Sequence, residues 1–196
     1  MNSTCPACGP ELLTFLQAAP ERLQRWQALP RLQLKRGDCL LRVGDSAPAL
    51  WFVEAGLLSG HFLDASGRER IHAFYPELQW LGLPGAEQQP SPYTLETLER
   101  SRLVVLTPAE LQSWQSQWPG IGELLWQALA VQVRRLTERQ QQWLMLDASA
   151  RYLSFLRDEP ALARRLKLKD VASYLGLTNV ALSRIRRRLG AAQLGA

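Results

Sequence analysis

One stretch constrains this chain more than any other: residues 166–189, LKLKDVASYLGLTNVALSRIRRRL. Its apolar positions recur at helical spacing, stop at a glycine and start again, which predicts two short helices joined by a tight turn. Val171, Ala172 and Leu175 make the inward stripe of the first helix, and Leu182, Ile185 and Leu189 that of the second. The small side chain of Ala172 allows close approach of the two helices. Gly176 can take the left-handed conformation that ends the first helix and turns the chain. Leu177 plugs the corner, and Thr178 stands where a hydroxyl caps the next helix by accepting from a free amide.

Val171, Ala172, Leu175, Gly176, Leu177, Leu182 and Ile185 together resemble the helix-turn-helix family. At about 100° per residue, Val180, Ser183, Arg184 and Arg187 form a stripe opposite the apolar one, with Asn179 beside it at the helix start. The resemblance implies that this stripe enters the major groove of duplex DNA. Arg184 would pair with guanine, Asn179 with adenine, and Val180 would touch a thymine methyl, while Lys169, Thr178 and the outer arginines hold phosphate. Alone, an arginine run such as LSRIRRR reads as a solvated face. Its coincidence with the turn template is what points to nucleic acid.

Composition agrees with such a partner without requiring it. The net charge of +5 is concentrated near the end, where Arg164, Arg165, Lys167, Lys169, Arg184, Arg186, Arg187 and Arg188 face only Asp170. A length of 196 residues at 46% hydrophobic content suits an ordinary domain plus a small one. No apolar run approaches the roughly 20 residues that cross a bilayer, and MNSTCPACGPELL lacks a basic start followed by an apolar core. These features lead us to expect a cytoplasmic protein with no membrane partner. Three cysteines, an odd number, argue against a secreted disulfide framework and for reduced thiols.

Cys5-Pro6-Ala7-Cys8-Gly9-Pro10 is rich in turn formers and reads as a frayed tail. Cys5 and Cys8 have metal-binding spacing, but a complete site generally needs four ligands, and Cys39, His61 and His72 are the softer residues that remain. A metal or redox sensor using Cys5 and Cys8 is therefore the alternative reading; the first expectation is no cofactor. Residues 11–29 carry Leu12, Leu13, Leu16, Leu23, Trp26 and Leu29, a helix broken at Pro20. From Leu32 short alternating or apolar runs are punctuated by glycine, proline and aspartate, as in an antiparallel β-barrel or roll. Asp64-Ala65-Ser66-Gly67 reads as a hairpin loop with positive φ at Gly67.

After Thr107-Pro108 the helical period returns, in a short helix at 109–114 and a long one from Pro119 to about Leu146. In the long helix Ile121, Leu125, Leu129, Leu136, Trp143 and Leu146 form an apolar seam, interrupted by Gln132 and Arg139. The seam can pack on the chain's own β-roll or on a second copy. We expect a parallel homodimer through residues 118–146, since paired helix-turn-helix units read half-sites about 34 Å apart. Asp147 caps a further helix with Tyr152, Leu153 and Leu156 inward.

A β-roll, a long helix and a C-terminal helix-turn-helix, in this order, resemble the Crp/Fnr family of bacterial transcription regulators. The likeness rests on RGDCLLRVGDSAPALWFVEAGLLSG, on ARYLSFLRDEP and on the stretch at 166–189. It implies an α+β chain in four parts: an N-terminal segment at 1–18, a cyclic-nucleotide-binding-like roll at 19–117, a dimerisation helix at 118–146 and a DNA-binding unit at 147–196. It also implies promoter DNA as a partner, RNA polymerase as a further one, and a small-molecule effector sensed by the roll. The family's cyclic-nucleotide cassette has a Gly-Glu pair for the ribose and an Arg-Ser or Arg-Thr pair for the phosphate. Here Gly82 survives, Leu83 stands at the glutamate and Ser91 at the arginine.

A buried cyclic phosphate would lose a charge-assisted partner worth about 1.5–3 kcal/mol, which speaks against cyclic AMP. His72, Tyr75, Trp80 and Tyr93 are candidates to line a pocket for a different effector, although aromatic residues beneath a roll also serve as core. The family's iron-sulfur sensors carry a longer cysteine cluster than Cys5 and Cys8, and its DNA-reading helix often begins with Arg-Glu where this chain has Asn179-Val180. The operator should therefore differ from the common family site. GAAQLGA after Leu189 is too short for the wing hairpin of many members. No nucleophile–base arrangement, phosphate-cradling glycine loop or helical metal-ligand pair suggests an enzyme.

Overall fold

Proline and glycine divide the chain where the elements break. A computed structural model describes residues 9–64, 67–82 and 89–194. Helices α1 (Gly9–Gln17) and α2 (Pro20–Ala28) are separated at Pro20, which occupies the first turn of α2. Leu12, Leu16 and Trp26 are buried, whereas Leu13 and Leu23 face solvent. Gly9, already helical where a tail reaching Pro10 was expected, lies directly against Leu78, with no room for a Cβ. That contact is distant in sequence and carries no local signal. Cys5 and Cys8 lie outside the described residues.

The roll consists of β1 (Arg31–Leu34), β2 (Cys39–Leu41), β3 (Leu50–Ala55), β4 (Leu58–Leu63), β5 (Glu69–Tyr75), β6 (Trp80–Leu81), β7 (Thr94–Thr97) and β8 (Ser101–Leu106). They form two four-stranded antiparallel sheets, ordered β1-β8-β3-β6 and β2-β7-β4-β5. Strand β6 is an addition to the sequence reading, where a two-residue run has no visible period. Leu41, Trp51, Val53, Leu58, Leu81, Leu95 and Leu103 fill the space between the sheets. Each fully buried side chain of this size contributes about 1.5–3 kcal/mol through lost contact with water. At the β4–β5 hairpin Gly67 has φ 75°, and its N–H donates to the Asp64 carbonyl at 2.9 Å. Ala65 and Ser66 lie outside the described residues.

Helix α3 (Pro108–Gln117) is capped by Thr107, whose hydroxyl accepts from the Glu110 amide at 3.2 Å. It is followed by α4 (Gly120–Met145), α5 (Ala148–Asp158), α6 (Pro160–Arg165), α7 (Leu168–Tyr174) and α8 (Asn179–Leu194). The long helix corrects the expected seam. Ile121 and Leu125 are buried in the chain's own core with Leu12, Trp26, Phe52 and Trp114. The exposed apolar residues of α4 include Trp126 and Val133, at 70% and 62%, beside the expected Leu136 and Trp143, at 58% and 43%. The heptad of the open face is thus 126, 129, 133, 136, 140 and 143, which keeps Leu129, Leu136 and Trp143 of the expected seam and replaces the buried Ile121 and Leu125 by Trp126 and Val133.

Two further differences concern α5 and α8. In α5, Tyr152 and Phe155 are inward, while Leu153 and Leu156 are exposed. The position of Tyr174, whose ring centroid lies 5.7 Å from that of Phe155, selects this strip. Helix α8 continues past Leu189 to Leu194, since Ala191, Ala192, Gln193 and Leu194 have high helix propensity and outweigh Gly190. The helices at the C-terminal end do not stand apart from the roll. Leu57, Ile71 and Phe74 of the roll share one core with Tyr152, Phe155, Leu162, Val171, Ala172, Leu175, Leu182 and Ile185. Among the described residues no helix is long and apolar enough to cross a membrane.

Candidate DNA-reading face and roll interior

The turn between α7 and α8 is assembled from backbone bonds around one glycine. Gly176 has φ 67°, the Gly176 N–H donates to the Ser173 carbonyl at 3.1 Å, and the Leu177 N–H to the Ala172 carbonyl at 2.8 Å. These bonds satisfy carbonyls that the end of α7 would otherwise leave open. A Cβ on Gly176 would strike the indole of Trp143 on α4, so conformation and space both demand glycine. Thr178 Oγ1 accepts from the Ala181 amide at 3.1 Å. Leu182 and Ile185 are buried against Val171 and Ala172, which fixes which side of α8 faces out.

That outer side bears Asn179, Val180, Arg184 and Arg187 in solvent, with Ser183 half-buried among them. Val180 is 60% exposed, unusual for a β-branched side chain on a helix otherwise well packed. Arg184, Arg186 and Arg187 have no hydrogen bond or ion pair among the described residues. Such uncommitted guanidiniums can take phosphate oxygens or a guanine edge without first breaking an internal contact. Arg188 differs: its Nη2 donates to Ser149 Oγ at 2.6 Å, so it ties α8 to α5. Lys169 does not join the stripe. It lines a cavity of about 460 Å³ over the roll, with Arg36, His61, Glu96 and Ser173.

The four aromatic candidates separate into two places. Trp80 packs outside the roll interior, 5.1 Å from Phe52 and 6.1 Å from Trp26 between ring centroids. His72, Tyr75 and Tyr93 gather elsewhere, with His72 4.6 Å from Tyr93 and 6.5 Å from Tyr75. Trp80 is therefore removed from the group, because in β6 it is Leu81 that takes the interior face, and its neighbour Trp80 points the other way. Phe62 takes its place, stacked on His72 at 4.4 Å, a residue whose half-exposed strand-end position gave no sign of this role. Gly60 makes the arrangement possible, since a Cβ there would collide with the His72 ring.

Burial first, and then the charges of Arg139 and His61, lower the His72 pKa from 6.5 to about 4. The imidazole is thus neutral near pH 7, and its Nε2 has no hydrogen-bond partner among the described residues. Burial likewise pushes the Tyr75 hydroxyl well above the usual phenol range. His72 and Tyr75 also border a cavity of about 500 Å³ with Gln132, Arg139, Gln142 and Tyr174, between the roll and the helices. His61 is a buried strand residue sharing a 2.7 Å hydrogen bond with Ser59.

At the position expected to hold the cyclic phosphate stands Ser91. Ser91 is buried, and its hydroxyl donates to the Tyr93 carbonyl at 2.7 Å, so it offers neither a charge nor a free donor. Gly82 keeps its positive φ of 89°. Leu83 lies outside the described residues. Among the described residues no group of three or more histidine, cysteine, aspartate or glutamate side chains is placed to hold a metal.

Comparison with known proteins accords with this architecture. Residues 31–117 match the family model described as the cyclic nucleotide-binding domain. The transcriptional activator protein Anr of Pseudomonas protegens is 28% identical over 202 residues, covering 95% of this chain and 80% of that protein. The transcriptional regulatory protein btr of Bordetella pertussis is 25% identical, covering 82% of this chain and 71% of that protein. Among solved structures, FixK2 of Bradyrhizobium japonicum superposes with a TM-score of 0.72 at 20% identity, covering 85% of this chain and 86% of that one. CLP of Xanthomonas campestris, described as a c-di-GMP responsive global regulator, gives 0.74 at 19% identity, covering 90% and 94%. With its β-roll, its long helix and a helix-turn-helix that keeps the required glycine and cap, the chain is similar over most of its length to Crp/Fnr-type transcriptional regulators.

Proposed function

We propose that the chain is a regulator that binds duplex promoter DNA in the cytoplasm as a homodimer, and that its roll answers to a ligand other than cyclic AMP or to none. The observation that carries the reading is the outer face of α8. Its arginines are uncommitted, its apolar side is fully engaged, and the turn that orients it is closed by its own hydrogen bonds. In this reading Arg184, Asn179, Val180 and Ser183 meet base edges, and Thr178 and Arg187 meet phosphate. Lys169 is left out of the contact set because of its place over the roll. The dimer forms through the open strip of α4, where Trp126, Leu129, Val133, Leu136 and Trp143 would otherwise leave a long apolar surface in water.

Selection of bound duplexes from a random pool tests the proposal directly. It should return a two-fold symmetric sequence with half-sites about one helical turn apart, bound with an affinity that falls steeply as salt rises. Binding that is absent, or indifferent to salt, would overturn the reading. The same selection repeated with cell extract reports whether a small molecule is required.

A further inference from the structure

Apolar contact glues the helices at the C-terminal end to the roll, but apolar contact has little directionality and does not fix an angle. Two arginines supply direction. Arg165, at the end of α6, donates from Nη1 to Glu77 at 2.8 Å, and from Nη2 to Glu99 at 2.8 Å and to the Gly56 carbonyl at 3.2 Å. Its Nε reaches Glu99 at 3.1 Å, so the whole fork is used. Glu77, Glu99 and Gly56 sit in three turns of the roll, those before β6, before β8 and before β4. Burial pushes the Glu77 carboxyl up, but hydrogen bonds from Arg165 and backbone amides more than offset it and leave it below the usual carboxylate range.

Arg139 does the same job from α4. Its Nη2 donates to the Tyr174 carbonyl at 2.8 Å and the Ile71 carbonyl at 3.3 Å, and its guanidinium lies 3.9 Å from the centre of the Tyr174 ring. The Ile71 amide in turn donates to Ser173 Oγ at 3.0 Å. The unpaired edge of β5 is thus joined to α7 by a side-chain bond and to both α4 and α7 through one guanidinium. Neither arginine is on the outer face of α8, and neither is available to DNA.

We propose that Arg139 and Arg165 are positioning residues for operator reading, holding α7 and α8 at one fixed angle on the roll. The inference rests on the DNA-reading and dimer proposals above. Two heads at a set spacing make the second half-site contact intramolecular, whereas heads that swivel dilute it. Loosening the arginines therefore weakens binding to a complete operator and leaves a single half-site alone.

The test uses the full chain with Arg139→Gln and Arg165→Ala combined, and Arg165→Lys as the conservative variant. Affinity is measured for a two-half-site duplex and for a duplex carrying one. The combined variant should lose about tenfold on the complete operator and nothing on the half-site, with Arg165→Lys in between. Amide exchange at Ile71 should quicken in the combined variant. Equal loss on both duplexes, or no loss on either, overturns the positioning role while leaving the DNA-reading proposal intact. Failure of the unaltered chain to bind either duplex would instead remove that proposal and this one with it.

Discussion

The DNA-reading unit and the interior of the roll follow opposite rules within one chain. Around α7 and α8 every residue that the turn geometry needs is present: Gly176 at positive φ, Thr178 as cap, Ala172 at the close approach. In the roll the shape-making glycine Gly82 persists, yet the position expected to bring a cation holds Ser91, turned onto its own backbone, and Phe62, His72, Tyr75 and Tyr93 crowd together nearby. Backbone geometry tolerates almost no substitution, because a wrong residue costs the fold itself. A ligand pocket can exchange charge for aromatic surface and still leave a sound core. The comparison separates what maintains the architecture from what chooses the signal.

The sharpest way to break that contrast is Gly176→Ala. A left-handed alanine pressed against Trp143 should cost about 3 kcal/mol, read as a lower denaturation midpoint, and α8 should lose its place on the roll. A fully stable variant would mean the turn is not under the constraint described. Arg184→Ala comes next: stability should hold while affinity for the selected operator drops about tenfold or more and the base preference at one position relaxes. Unchanged affinity would take the DNA-reading role from this stripe.

Inside the roll the expected effects are smaller. His72 titrates at about 4 in the folded chain against 6.5 ordinarily, so between those values the unfolded chain binds a proton that the folded one excludes. Its contribution to stability is therefore whole above pH 6.5 and declines as the pH falls toward 4. His72→Gln should flatten that limb of the stability–pH curve; an unaltered slope would show that the imidazole is not held neutral by its surroundings. Calorimetry with cyclic AMP should register no heat, and micromolar binding would overturn the account of Ser91.

How far the sequence disclosed these features depends on how local their causes are. The helix-turn-helix was legible because period, glycine and cap lie within a few residues of one another. The close approach of Gly9 to Leu78 was not, since its partner is distant in sequence. The aromatic group was half legible. Residue type made His72, Tyr75 and Tyr93 candidates, but which face a strand residue takes and where a bulge falls, here between Gly60 and His61, decide what meets what. Trp80 therefore landed with Phe52 and Trp26, and Phe62 went unnoticed.

The order of elements, the turn at Gly176, the outward arginines of α8 and the missing cation at Ser91 follow from the chain alone, because each is a matter of residue type at short spacing. Which strip of α4 is covered by its own roll, which side of α5 turns inward, and how Arg139 and Arg165 bind the helices to β5 and its neighbouring turns were settled only by tertiary structure. Those outcomes depend on surfaces brought together from distant parts of the chain, and hydrophobic periodicity specifies that a face will be buried without specifying against what.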